Sequence, residues 1–300
     1  MKNPTLVILA AGMASRYGSL KQIDSFGPSG ETIIEYAVYD AIRAGFKRVV
    51  FIIREDFFEE FKEIFEPKLK GRIDIDYAFQ SLTAFTDGYT IPPKRTKPYG
   101  TAQALMCCSK ILNEPFAIVN ADDFYGLEAY QKAYDFLNNK AEENVFASIA
   151  YKLKNTLSDN GSVSRGQIYL DKNSQVAEIK ERLKILKYDN KIVYDDEENL
   201  VELDPETLVS MNFFCFSPAF IGFAMEEFRK FLNTHKNDLK AEFLLPIVAD
   251  KFIQRHLGVI DVIPTDAHWF GVTYKEDKPI VREELHQLIA KGLYPGNLWK

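Results

Sequence analysis

The sequence predicts an α/β fold, with a mostly parallel sheet in the first half and a β-rich second half. Three observations carry that prediction. Short β-rich runs alternate with helical patterns through the first half, the signature of βαβ units. A small-residue loop directly follows the first of these runs. The apolar run at 116–121 ends in paired carboxylates, Asp122 and Asp123, and the carboxyl ends of strands are where open α/β sheets bind ligands.

Taken in order, residues 5–10 read as the first strand, followed by the loop and by a helix that opens at Thr32 and closes at Gly45. Glu35, three residues after Thr32, completes a capping box, and glycine is the usual helix stop. Residues 47–54 form a second strand, 56–65 an amphipathic helix, 73–80 a third strand, 101–112 a helix and 116–121 a buried strand. The stretch 81–99, rich in Thr, Pro, Lys and Gly, is a loop of a length that is usually functional. Beyond it, β-rich runs at 162–170, 176–182 and 209–216 are broken by the acidic segment 189–204, which reads as a solvated excursion. Helices at 218–232 and 241–255, a strand at 259–263 and a helix at 277–290 complete the order. No repeat or flexible linker is visible, so residues 1–300 are expected to form a single Rossmann-like domain, its halves meeting near residue 150.

Composition excludes several functions. With 300 residues, 46% of them apolar, the chain can bury a substantial core. The 37 basic and 43 acidic residues give a net charge of −6 without a basic stripe, so no nucleic-acid partner is expected. The apolar run 6–11 is too short to span a membrane and lacks signal-peptide flanks, which predicts a cytoplasmic protein with no membrane partner. Cys107, Cys108 and Cys215 suggest buried small hydrophobes rather than disulfides, and the four scattered histidines lack zinc-ligand spacing. Oligomeric state is not readable, and a homo-oligomer is left open.

The strongest chemical signal is Leu9-Ala10-Ala11-Gly12-Met13-Ala14-Ser15-Arg16, followed by Lys21-Gln22. Small residues there let backbone N–H groups approach a triphosphate, with Arg16 and Lys21 supplying positive charge. A plain βα turn with two solvated basic side chains would satisfy the same letters. The spacing matches neither the dinucleotide fingerprint nor the P-loop.

Here the chain resembles the sugar-1-phosphate nucleotidylyltransferases, the group of glucose-1-phosphate thymidylyltransferase and uridylyltransferase, whose loop reads L-A-A-G-x-G-x-R with a lysine further on. The resemblance continues in order along nearly the whole sequence. Tyr77-Ala78-Phe79-Gln80 resembles the strand whose glutamine reads a pyrimidine, and Pro98-Tyr99-Gly100-Thr101-Ala102-Gln103-Ala104 resembles the P-x-G-x-A-Q-A turn against the base. Asn120-Ala121-Asp122-Asp123 resembles the G-D-N strand end that binds magnesium, Ser164-Arg165-Gly166-Gln167 the glycine turn against the sugar, and Lys180-Glu181-Arg182 the E-E-K segment.

The resemblance implies a nucleotide-diphospho-sugar transferase type of fold, a nucleotide-binding half and a sugar-binding half. It also implies Mg2+-dependent transfer of a nucleotidyl group from UTP or dTTP to a sugar 1-phosphate, as in nucleotide-sugar and polysaccharide biosynthesis. Arg16, Lys21 and Asp122 would be catalytic, with Asp122 on the metal. Ala11, Gly12, Gln80, Gly100 and Thr101 would bind the nucleotide, and Gly166, Glu181 and Arg182 the sugar phosphate. A surface ion pair on a strand is the alternative for Glu181 and Arg182.

Two positions depart from the pattern. Ala14 replaces a second loop glycine, and Trp269-Phe270-Gly271-Val272-Thr273 stands where the family has W-x-D-x-G-T. The second metal-binding aspartate is therefore missing, leaving Asp266 or water as candidates. Two other functions share these features: a glycosyltransferase using a nucleotide-sugar, and a catalytically silent regulatory subunit that binds one.

Overall fold

A long sheet organises the computed structural model, which describes residues 3–12, 24–189, 191–196, 199–272, 274 and 276–300. Strand β1 (Thr5–Leu9) lies between β2 (Arg48–Ile53) and β4 (Phe116–Asn120), and β3 (Asp74–Phe79) pairs with the far side of β2. All three pairings are parallel. Apolar runs such as Leu6-Val7-Ile8 suit this position because a strand in a parallel sheet is covered on both faces. Leu6 and Ile8 enter one core and Val7 the other.

Helices α1 (Ile33–Ala44), α2 (Phe58–Leu69) and α4 (Leu127–Asn139) cover one face, and α3 (Thr101–Met106), α5 (Pro218–Thr234) and α6 (Leu245–Gln254) cover the other. The capping box forms as expected: the Glu35 amide donates to Thr32 Oγ1, and the Thr32 amide donates to Glu35 Oε2. Helix α2 outlasts its expected end at residue 65 and carries Pro67 in its last turn. Phe61, Phe65 and Leu69, at a spacing of four, are all buried; the extra turn adds Leu69 to that apolar face, and its burial offsets the backbone bond lost at Pro67. Conversely, α3 stops at Met106, and the following residues continue as turns.

The second half widens the same sheet. Strand β11 (Leu208–Phe216) joins the halves, pairing antiparallel with β4 through residues 214–216 and with β7 (Val163–Leu170) through Val209 and Ser210. Its register shifts between Ser210 and Phe214, where Asn212 adopts a φ of 60°. Strand β6 (Val145–Lys152) also pairs with β11 and carries β12 (Val259–Thr265) parallel to itself. No element is predicted from sequence for α4 or β6.

The segment 189–204 is not a solvated excursion. It forms an edge hairpin, β9 (Lys191–Asp196) and β10 (Asn199–Leu203), on a β8 (Val176–Tyr188) that runs past its expected end. Ile192, Val193 and Tyr194 are buried beneath the charged residues that dominate its composition.

A short ribbon ties the C-terminal region to this frame: β5 (Asp123–Phe124) pairs with β13 (Phe270–Gly271), and α7 (Asp277–Ala290) follows. Cys107, Cys108 and Cys215 are free thiols, the last two buried. Among the described residues no helix is long and apolar enough to cross a membrane.

Candidate active site

The carboxyl ends of β1, β3 and β4 open into a cavity of about 410 Å3 whose wall includes Ala11, Gly12, Gln80, Gly100 and Asp122. A second cavity of about 230 Å3, lined by Asp122, Asp123, Arg165, Gly166 and Glu181, lies towards β7 and β8. Thr101, Asn120, Asp122, Asn212 and Leu244 line both. The two are therefore lobes of one cleft, with Asp122 on the shared wall.

Local folding explains the first lobe. Gly100 has a φ of 108°, in the left-handed region, and a Cβ there would lie 3.0 Å from the Phe243 carbonyl oxygen. Glycine is required on both counts. The chain on either side is zipped to the segment before α6: the Ala102 amide donates to Phe243 O, and the Leu245 amide donates to Thr101 Oγ1, both at 3.0 Å. Gln80, just beyond β3, turns its amide nitrogen inward, donating to Gly100 O at 3.0 Å and to Gln103 Oε1 at 2.9 Å.

The second lobe is more strongly charged. Asp123 is buried, and its Oδ2 accepts from Asn120 Nδ2 at 2.8 Å, with the Tyr125 hydroxyl at 3.3 Å. Burial, and then the neighbouring charge of Asp122, push the Asp123 carboxyl well above the usual aspartate range, against the pull of Asn120 and Arg165. Arg165 is also buried. Its guanidinium donates to the carbonyls of Thr156 and Ser164 and lies 4.6 Å over the Trp269 ring. Burial lowers its pKa to about 10, with Asp123 and Glu181 opposing, so it stays cationic at neutral pH. Glu181 faces Gly166 across the β7–β8 pairing, and its carboxyl is raised by burial, offset in part by Arg165.

Most of the expected site residues that the structure describes converge on this cleft, but Arg182 does not. Its guanidinium donates to Gln167 Oε1 at 2.9 Å and to the Tyr169 hydroxyl at 3.0 Å, and lies 4.5 Å over Tyr194. Consecutive strand residues point to opposite faces, so with Glu181 on the cleft, Arg182 is directed elsewhere. Among the described residues, the cation lining the second lobe is Arg165 instead. Asp266 does not replace the missing aspartate either: its side chain is 81% exposed and paired with Lys152 at 3.1 Å. Arg16 and Lys21, with Ala14 and the rest of residues 13–23, lie outside the described residues.

The departure at Gly271 gains a physical reason. A Cβ on Gly271 would stand 2.5 Å from Asp123 Oδ1. The carboxylate of Asp123 thus occupies the space that a side chain at 271 would fill, and it reaches the cleft from the neighbouring strand of the ribbon. Asp123, Arg165 and Asn212 also line the cleft, although the sequence assigned a specific role to none of them and named the first two only within the paired carboxylates and the Ser164-Arg165-Gly166-Gln167 motif. Only the doubled aspartate after Asn120 hinted at the first.

The nucleotidyl transferase family model matches residues 6–257. Among solved structures, the inositol-1-phosphate CTP transferase from T. maritima superposes with a TM-score of 0.63 at 12% identity, covering 96% of each chain. A Bacillus anthracis protein named as a glucose-1-phosphate thymidylyltransferase, in complex with sucrose, gives a TM-score of 0.63 at 12% identity over 94% of each chain. HddC from Yersinia pseudotuberculosis gives a TM-score of 0.55 at 14% identity, covering 94% of this chain and 99% of its own. At these identities the superpositions establish a shared fold. No curated protein matches the sequence.

Proposed function

The chain belongs to the nucleotidyl transferase family, and from that premise we propose that it transfers a nucleotidyl group from UTP or dTTP to a sugar 1-phosphate, releasing pyrophosphate. The observation that carries this reading is the two-lobed cleft with Asp122 on the shared wall. A reaction that joins two phosphates needs two adjacent binding lobes and, where they meet, a group able to neutralise the charge between them.

In this reading a phosphate oxygen of the sugar 1-phosphate attacks the α-phosphorus in line, forming one P–O bond as the bond to pyrophosphate breaks. The attacking oxygen is already anionic at neutral pH, so no general base is needed, and catalysis comes from positioning and charge neutralisation. Ala11, Gly12, Gly100 and Thr101 hold the nucleotide, and Gln80 meets its base. Gly166 leaves room for the sugar, Glu181 accepts from its hydroxyls, and Arg165 supplies positive potential in place of Arg182. Arg16 and Lys21 grip the triphosphate.

The donor set fits magnesium. Asp122 and Asp123 bring two hard oxygen ligands to one wall of the cleft, and Mg2+ commonly takes one or two carboxylates together with substrate phosphates and water. Once bound there it would offset the repulsion between the two phosphates. Asp123 would thereby serve as the second protein ligand, in the role the resemblance gives to the position of Gly271.

The test is pyrophosphate release from several triphosphates against a panel of sugar 1-phosphates. Turnover in a defined pair supports the reading and excludes a silent regulatory subunit. Absence of release from every pair, with transfer of a sugar from a nucleotide-sugar instead, would replace it with glycosyl transfer.

A further inference from the structure

Gln103 is fully buried and hydrogen-bonded on every side. Its Nε2 donates to the carbonyls of Ser81 and Ala84, both at 3.0 Å. Its Oε1 accepts from the Tyr99 amide at 3.0 Å and from Gln80 Nε2 at 2.9 Å. Amide oxygen and nitrogen have nearly the same shape, so only their partners can fix which is which. Here they do. Two carbonyls can only accept and the Tyr99 N–H can only donate, so Gln103 has one satisfied orientation.

That orientation propagates. Gln103 presents an oxygen to Gln80, and Gly100 presents a carbonyl oxygen, so both hydrogens of the Gln80 amide are committed inward. Turning the Gln80 amide over would set oxygen against oxygen at both contacts. Its Oε1 has no partner among the described residues, and Gln80 lines the nucleotide lobe. The group offered to a base is thus an acceptor, and it cannot become a donor without breaking a saturated buried network.

We propose that Gln103 is a positioning residue for base selection: by locking Gln80 with its carbonyl oxygen towards the cleft, it makes the nucleotide lobe favour a base with a ring N–H at the centre of its pairing edge, uracil or thymine, over cytosine. Ring N3 of uracil and thymine carries a hydrogen that Gln80 Oε1 can accept, whereas N3 of cytosine carries a lone pair that opposes it. Cytosine could offer its exocyclic amine only by shifting out of this alignment. The inference rests on the proposed nucleotide site, and it separates UTP and dTTP from CTP by a residue that itself touches no ligand.

Calorimetric titration of the protein in Mg2+ with UTP, dTTP, CTP and N3-methyl-UTP tests it without requiring turnover. UTP and dTTP should bind roughly ten- to a hundredfold more tightly than CTP and N3-methyl-UTP, the range expected when a buried hydrogen-bonding group is left unpaired. Gln103→Met, with its fold checked by circular dichroism, should bring UTP and CTP within about threefold of each other. A merely structural role would weaken all four ligands alike and leave their ratio unchanged. Wild-type binding of CTP within about threefold of UTP, or an undiminished ratio in folded Gln103→Met, would overturn the inference. Pyrophosphate release, measured separately, reads the proposed reaction itself.

Discussion

Gly271→Ala places one methyl group where the structure has no room for it. The added Cβ would sit 2.5 Å from Asp123 Oδ1, 2.8 Å from Trp269 Cζ2 and 3.1 Å from the Asp122 carbonyl oxygen. Ordinary contact is about 3.5 Å, so the carboxylate must retreat by roughly 1 Å. It has little freedom to do so, because its other oxygen is held by Asn120 and its backbone is paired with Gly271 itself. The Trp269 ring is similarly fixed under Arg165. Overpacking of this kind costs about 1–3 kcal/mol, and three rigid neighbours place Gly271→Ala towards the upper end. Urea denaturation reads that cost directly. Calorimetric titration with Mg2+ in the presence of UTP reads the displaced carboxylate, with affinity expected to fall about ten- to a hundredfold. In an Asp123→Ala background the severest clash is gone, and the added cost of Gly271→Ala should drop below about 1 kcal/mol. Equal cost in both backgrounds, or Gly271→Ala as stable as wild type, would refute the claim that Asp123 occupies this space.

Other perturbations address the charges. Asp122→Asn keeps the shape but removes the charge on the shared wall, so turnover should fall by about two to three orders of magnitude at saturating Mg2+; near-wild-type rates would remove Asp122 from the metal site. Arg16→Lys keeps charge and loses the planar fork, so kcat should fall about a hundredfold, about 3 kcal/mol, with KM for the triphosphate little changed. A raised KM with unchanged kcat would assign Arg16 to ground-state binding. Asp40, buried beside Tyr294, has its carboxyl raised from 3.8 to about 7, chiefly by burial, against the Tyr294 hydrogen bond and Arg43. A folded-state pKa above the unfolded one favours the native state at low pH, and that advantage is lost as pH rises from about 4 through 7. Asp40→Asn should therefore change stability little at pH 4 and raise it at pH 8, by at most about 4 kcal/mol. A stability difference between mutant and wild type that does not change with pH would contradict that burial effect.

Local rules reach far in this protein. The capping box at Thr32, the glycine turn at Gly100, the alternation of strands and helices in the first half and the aspartates after β4 are all legible because each depends on neighbours within a few residues. The hairpin of β9 and β10 was hidden by composition: its charged residues dominate the sequence, while burial of Ile192, Val193 and Tyr194 becomes visible only once β8 is there to pair with. What the sequence leaves unread in the site is side-chain direction. Motif spacing names Glu181 and Arg182 together, yet a strand sends successive side chains to opposite faces, and only the folded sheet places Arg165, among the described residues, as the cation lining the second lobe. Sequence alone showed that Gly271 lacks a carboxylate. That Asp123 fills the vacated space from the facing strand was decided by tertiary structure, because the contact joins residues far apart in the sequence, and no local pattern encodes a distance of that kind.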